Sequence, residues 1–209
     1  MEYTLFFIIA APLFLAGATY LQVRAMSTPE KMMRPIAGGL SSEKQQILLD
    51  HKAWLTSKNL QYITSFQFGS TQVAAFQQTD TSRYFCFYFG QTFSYDIMSI
   101  FDETNGLTTA SNTGIGMFPF EPGTYKQGFP QMGADLLWQR HLEAEAHLIN
   151  KFGLRWQPLT KTFEQMTLDA IRRQILHVRS IPLYPLRAIY WFAIKRKQMA
   201  NRSIQQQYP

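Results

Sequence analysis

The chain is poor in cysteine: Cys86 stands alone among 209 residues. This excludes an internal disulfide scaffold and any zinc site built on several thiolates. Collagen-like and heptad repeats are absent, which excludes a fibre. Charge is sparse at 16%, against 46% hydrophobic and 15% aromatic residues, and such a chain is not disordered. The catalytic and phosphate-binding signatures GxxxxGK[ST], GxGxxG, HExxH, GxSxG and Cys-x-x-Cys are missing. Gly114-Ile115-Gly116 lacks the rest of a dinucleotide fingerprint. No cofactor and no metal are expected.

Acidic residues run out toward the C-terminus. Residues 151–209 hold 11 of the 20 Lys/Arg but two of the 14 Asp/Glu, Glu164 and Asp169. A basic C-terminal part beside a mildly acidic body points to an anionic partner for that part, with a solvated basic face as the competing reading. Nucleic acid is not expected, because the aromatic residues near the charge (Tyr184, Tyr190, Trp191 and Phe192) match no recognition motif.

Charge is also missing from Tyr3 to Leu21, a run of 19 residues. As a helix it spans about 28 Å, close to the apolar thickness of a bilayer. Pro12 kinks such a helix without forbidding it. A cleaved signal peptide is the rival reading, since Ala16-Gly17-Ala18 offers small residues for cleavage. Against it, Glu2 rather than a basic residue precedes the run, which continues through Tyr20 and Leu21. A retained anchor over residues 1–23 is therefore favoured. Arg24, Lys31 and Arg34 follow the segment, so the positive-inside bias puts the N-terminus outside and the remainder in the cytoplasm. The alternative is a secreted or periplasmic protein after cleavage. The Asn201-Arg202-Ser203 glycosylation sequon is out of reach in the favoured orientation.

Residues 24–40, with Pro29, Pro35, Gly38 and Gly39, read as a linker. Ser41 or Ser42 caps a helix that runs to about Ser57. Five strand candidates follow: Leu60–Phe68, Thr71–Gln77, Arg83–Phe89, Thr92–Phe101 and Leu107–Ser111. Short turns separate them, Asn105-Gly106 being the strongest hairpin signal, so an antiparallel meander is expected. In the third strand, alternation puts Phe85, Phe87 and Phe89 on one face and Tyr84, Cys86 and Tyr88 on the other. Neither face is polar; either both are covered or one lines a pocket. Residues 112–133, rich in Gly and Pro, read as a long loop that covers something.

Gly133 to Phe152 is the clearest helix, stopped by Gly153. Thr162-Phe163-Glu164-Gln165 has capping-box spacing and opens another. Beyond Pro182 and Pro185, residues 182–209 form a basic amphipathic tail. There Arg187, Tyr190, Trp191, Lys195, Arg196 and Lys197 suit a membrane interface, with docking on the domain itself as the equal alternative. The fold class is thus α+β: a five-stranded antiparallel meander packed by the 133–152 helix, over residues 41–181.

One constellation invites chemistry: His141, Glu143, Glu145 and His147 on the 133–152 helix. His141 and Glu145 share the apolar stripe of Leu137, Trp138, Leu142 and Leu148, whereas Glu143 and His147 fall opposite, as an exposed pair. A buried Glu145 needs a partner, and His141 is in reach. The pair reads as a structural hydrogen bond, a polar pocket facing the sheet, or a catalytic or metal site; His51, His177, Asp96 and Asp102 are further ligands by type alone. Candidate ligand-binding residues are Tyr84, Tyr88, His141 and Glu145.

Three functions remain open. The first is a membrane-anchored accessory or scaffold protein, held in the bilayer through residues 3–21 and meeting anionic lipid or a membrane protein through residues 186–202. The second is a module binding an apolar small molecule or lipid between the aromatic sheet and the 133–152 helix. The third is an enzyme using His141 and Glu145.

Overall fold

The computed structural model describes residues 14–21, 23–24, 28–112, 119–158 and 160–209. The fold is α+β, built on one seven-stranded mixed sheet. Its strands are β1 (Met33–Pro35), β2 (Leu60–Phe68), β3 (Thr71–Gln78), β4 (Arg83–Phe89), β5 (Phe93–Ile100), β6 (Gly106–Ala110) and β7 (Thr124–Gly128). They lie in sequence order, antiparallel except for the parallel β6–β7 pair. The helices are α1 (Ser42–Asp50), α2 (Lys52–Ser57), α3 (Ala134–Phe152), α4 (Phe163–Ser180), α5 (Tyr184–Tyr190), α6 (Arg196–Met199) and α7 (Ile204–Gln207). A π-helical turn, Trp191–Lys195, joins α5 to α6.

The five expected strands stand within a residue or so of their expected ends, but the sheet is larger than five strands. β1 comes from the stretch read as a linker and pairs with the far end of β2, Met33 opposite Phe68. β7 comes from the stretch read as a loop, of which residues 113–118 lie outside the described residues. Its backbone runs parallel to β6, Leu107 opposite Tyr125 and Thr109 opposite Gln127. A parallel pairing needs the long connection that residues 111–123 provide. The helix expected from Ser42 to Ser57 is broken at His51 into α1 and α2.

The β5–β6 hairpin forms, but not through positive φ at Asn105 or Gly106. Asp102 makes the turn instead: one carboxylate oxygen accepts from the backbone N–H of Thr104 at 2.7 Å and of Asn105 at 2.8 Å. β7 reaches β6 through Gly123, whose φ is +85°. A Cβ there would lie 2.5 Å from the Thr104 carbonyl oxygen.

The sheet is covered on both faces. On one, Phe85, Phe87, Phe89 and Ile97 pack under Leu137 and Trp138 of α3, with Leu55 of α2 and Leu60 of β2. On the other, Phe163 at the start of α4 seals Phe66, Val73, Tyr84 and Cys86. Helix ends behave as their sequences require: Gly153 stops α3 in the left-handed conformation, and Thr162 and Gln165 close a capping box on α4.

Residues 182–209 are not a free tail. The Asn201 N–H donates to the Gly128 carbonyl at 2.9 Å, and Ile204 is fully buried with Phe101, Leu107, Ala144 and Leu148. The expected Glu143–His147 pair is absent, because this returning segment claims His147: its Nε2 bonds the Tyr208 carbonyl at 2.8 Å, while Glu143 takes Arg140. The run 3–21 lies mostly outside the described residues; residues 14–21 are helical. Among the described residues no helix is long and apolar enough to cross a membrane.

Gly123→Ala should lower unfolding stability by about 2 kcal/mol or more, since the new Cβ meets backbone at a left-handed φ. Urea denaturation followed by circular dichroism measures this, with Gly133→Ala, at the N-cap of α3 where a Cβ meets open space, as the control that should cost under about 1 kcal/mol.

Candidate functional site: a buried polar chain and a cavity on opposite faces

Two polar groupings lie inside the molecule, one on each face of the sheet. On the α3 face, Arg83 opens a hydrogen-bonded chain. Its Nε and Nη2 fork onto the Glu145 carboxylate at 3.1 and 2.6 Å, and its Nη1 also reaches Gln78. Ser99 donates to Glu145 at 2.6 Å. That spends the hydroxyl proton, so at 2.8 Å Ser99 must accept from His141 Nε2. His141 Nδ1 is then the acceptor for Thr109, at 2.9 Å. Thr109 accepts from Gln127 Nε2 at 2.9 Å, and Gln127 Oε1 accepts the Ile204 N–H at 2.9 Å.

Direction is therefore fixed at every step from Glu145 to Ile204, and His141 is the neutral Nε2–H tautomer. Burial, helped by the Arg83 cation, holds the His141 pKa well below its usual value. Its Nε2 is 3.9 Å from Glu145, beyond hydrogen-bond reach. Ser99, His141 and Glu145 thus lack the order of a nucleophile–base–carboxylate triad, in which the carboxylate orients the imidazole. Both ring nitrogens are occupied and His141 has no exposed surface.

The other face differs. Tyr88, Asp96, Met98, Thr108 and Lys126 line a cavity of about 1080 Å³ beneath α4, whose Met166, Ile171 and Ile175 form the far wall. Sheet register explains the floor. Cys86, Asp96 and Ala110 stand in one cross-strand row, and Tyr84, Met98, Thr108 and Lys126 in the next. From β5 onward this face mixes Met98 and Ile100 with Ser94, Asp96, Thr108 and Lys126, and the space under α4 beyond Met166 stays open. Glu121 and Gln174 close one side: Arg173 donates to Glu121 at 3.1 Å and Gln174 to the Pro119 carbonyl at 2.8 Å.

Asp96 is the focus of this cavity. Its Oδ1 is buried and accepts no hydrogen bond. Burial pushes its pKa up to about 7, against the pull of the Tyr88 hydroxyl and the Lys126 ammonium. Burial lowers the Lys126 pKa, while Asp96 and Glu121 hold its charge in place. Lys126 Nζ also lies 5.2 Å from the centre of the Phe120 ring. The Tyr88 hydroxyl and Cys86 thiol are both pushed well above their usual ranges by burial, so each stays protonated and Cys86 is unreactive. A carboxyl group near pKa 7 beside a protonated phenol can bind a donor or exchange a proton at neutral pH.

The four candidate ligand residues do not converge. Tyr88 lines the cavity, but Tyr84 lies under Phe163, at 4.9 Å between ring centroids. His141 and Glu145 are across the sheet, because α3 covers the opposite face. The cavity with Asp96 is accordingly on the α4 side, whereas Leu137 and Trp138 of α3 pack directly on the other face, which leaves a groove of about 430 Å³ between α1, α2 and the Leu60 end of β2. Sequence reasoning named Asp96 by type alone and missed Lys126 altogether. Asp96 did carry a signal, as a lone acid inside the strand Ser94-Tyr95-Asp96-Ile97-Met98. Arg187, Tyr190, Trp191, Lys195, Arg196 and Lys197 follow along α5, the π-turn and α6; Arg196 also borders the cavity. Among the described residues no group of three or more His, Cys, Asp or Glu side chains is placed to hold a metal ion.

Two outcomes separate the faces. Glu145→Ala strands Arg83 among Trp138 and Trp156, and should cost about 3–5 kcal/mol in chemical denaturation, whereas an exposed control, Glu143→Ala, costs under 1. Asp96→Asn acts with the opposite sign. Between pH 4 and 7 the unfolded Asp96 is ionised while the folded one keeps its proton, so wild-type stability falls as pH rises through this window. Thermal unfolding at pH 5 and pH 8 should show the variant gaining on wild type at the higher pH, by on the order of 2 kcal/mol.

No family model matches this chain, and no curated protein or solved structure is similar to it.

Proposed function

We propose that this chain is a membrane-tethered binding module whose cavity beneath α4 takes a small amphipathic molecule. The observation that carries the reading is the Asp96 carboxylate oxygen, buried at the cavity without a partner. An orphaned buried acceptor costs on the order of 1–3 kcal/mol, and a bound donor recovers that cost. The ligand therefore presents a hydroxyl, amide or amine to Asp96 and lays an apolar body against Met98, Ile100, Met166 and Ile171. Thr108 and the Tyr88 hydroxyl supply further polar contacts. A volume of about 1080 Å³ lies just beyond the range of about 300–1,000 Å³ usual for small-molecule sites.

The tether is residues 3–21, with the N-terminus outside and the folded part in the cytoplasm; the uncharged run and the basic residues after it support this. The scaffold reading stays as the second, supported by apolar and basic residues on the outer side of α5. The enzyme reading moves from His141 and Glu145 to Asp96 and Tyr88, and the same experiment bears on it, since a substrate must first bind.

The test uses the full chain in detergent-free nanodiscs and two fluorescent long-chain probes, an alkylamine and a fatty acid. The alkylamine should bind the wild type, about tenfold more weakly to Asp96→Asn and not to Thr108→Trp, which fills the floor. Equal binding of the alkylamine to all three proteins would remove the cavity from consideration. Preference for the fatty acid would reassign the polar end from Asp96 to Lys126 and Arg173.

A further inference from the structure

The outer side of α4 and α5 carries a group of exposed apolar side chains. Leu176 is 66% exposed and Leu183 72%. Leu186, Tyr190 and Ile194 are exposed as well. Leu186 and Tyr190 stand at i and i+4, one stripe of α5, and Leu183 precedes them at the N-cap. The inner side of α5 is spent on packing: Ala188 is buried, and Tyr184 meets Val23, Ile175 and Val178. The stripe is therefore the outward face of a docked helix.

Leu183 adds a second observation. It holds a left-handed backbone, φ 54°, which a branched L-residue rarely adopts. The turn it makes holds an aliphatic side chain outward, available to an apolar medium.

Charge and chain path say which medium. No Asp or Glu follows Asp169, and Arg179, Arg187, Lys195 and Lys197 fall in the same stretch of chain as the stripe. The helical residues before Arg24 end on this same region, where buried Val23 sits against Ile175 and Val178 and Thr19 is buried one turn earlier. Phe14, Leu15, Tyr20 and Leu21 on that helix are exposed. The described end of the uncharged run, residues 14–21, therefore leads into the region of the apolar stripe.

We infer that the outward face of α5, with the last turn of α4, docks on an anionic phospholipid surface. Leu183, Leu186 and Tyr190 enter the headgroup–acyl boundary while Arg179, Arg187, Lys195 and Lys197 meet lipid phosphates. Docking fixes the orientation of the folded body, which a single tether leaves free. The inference rests on the tether proposed above, and the test separates the two.

The full chain is reconstituted in nanodiscs of phosphatidylcholine, with or without phosphatidylglycerol, and flotation first reports the tether. An environment-sensitive nitrobenzoxadiazole label is then read at Leu186→Cys and, on the far side of the sheet, at Gln46→Cys; buried Cys86 does not compete for label. The label at 186 should shift to the blue and be quenched by spin-labelled lipid, more strongly with phosphatidylglycerol, while the label at 46 does neither. Charge reversals Arg187→Glu and Lys197→Glu should each weaken the phosphatidylglycerol response about fivefold. A floating chain whose label at 186 reads water overturns the docking face and leaves the tether standing. A chain that fails to float overturns the tether; phosphatidylglycerol vesicles added to it must still shift the label at 186, and no shift overturns the face too. A blue shift that spin-labelled lipid does not quench assigns the stripe to protein and also overturns the inference.

Discussion

The central strand has no polar side, and the rest of the architecture answers to that. Tyr84-Phe85-Cys86-Phe87-Tyr88-Phe89 presents aromatic rings or a thiol in both directions, so the sheet cannot leave one face in water. Two covers are required. α3, with α1 and α2, supplies one and α4 the other. The flanking strands decide how well each cover fits. On the α3 side β5 continues with Tyr95 and Ile97, and packing is continuous from Leu60 to Trp138. On the α4 side β5 to β7 offer Ser94, Asp96, Thr108 and Lys126, and the layer opens into a cavity.

The two faces also treat buried polar groups in opposite ways. In the chain from Arg83 through Glu145, Ser99, His141, Thr109 and Gln127 to Ile204, every acceptor named has a donor. Such a closed network fixes one packing of α3 on the sheet and draws the C-terminal segment onto β7. It spends its members on one another and leaves no group for a substrate. Asp96 is the reverse case: its carboxyl is raised to about 7 by burial and one oxygen accepts nothing. Satisfied polarity holds a fold together, whereas unsatisfied polarity at a cavity marks a place for a ligand.

What could be read from the sequence divides along range. Local signals held: five strands by alternation, the α3 stripe with Gly153 at its end, and the Thr162 capping box. β1 escaped because Met33-Arg34-Pro35 is three residues long and ends in proline, tolerable only at an edge. β7 escaped because Thr124-Tyr125-Lys126-Gln127-Gly128 lacks an apolar alternation and pairs in parallel across a long connection. The spacing of His141 and Glu145 placed both on the buried stripe, yet Arg83, Ser99 and Thr109 come from three strands that no spacing rule connects to α3. The cavity was harder still. Tyr88, Asp96 and Lys126 sit on β4, β5 and β7, and they share a floor only once the register of the intervening strands is set.

α4 ties the two surfaces of functional interest together. Ile171 and Ile175 face the cavity and also belong to the cluster with Val23, Val178 and Tyr184. Arg173 and Gln174, which lie between those two isoleucines, clamp the helix to Glu121 and Pro119 at the cavity's side. Whatever seats against the outer face of α5 therefore bears on α4 through Tyr184, and α4 is the roof over Asp96. The roof is fastened by Phe163 at one end and by the Val23 cluster at the other, with polar clamps between. α3, on the other face, is held along its middle instead, by the closed hydrogen-bond network through His141 and Glu145.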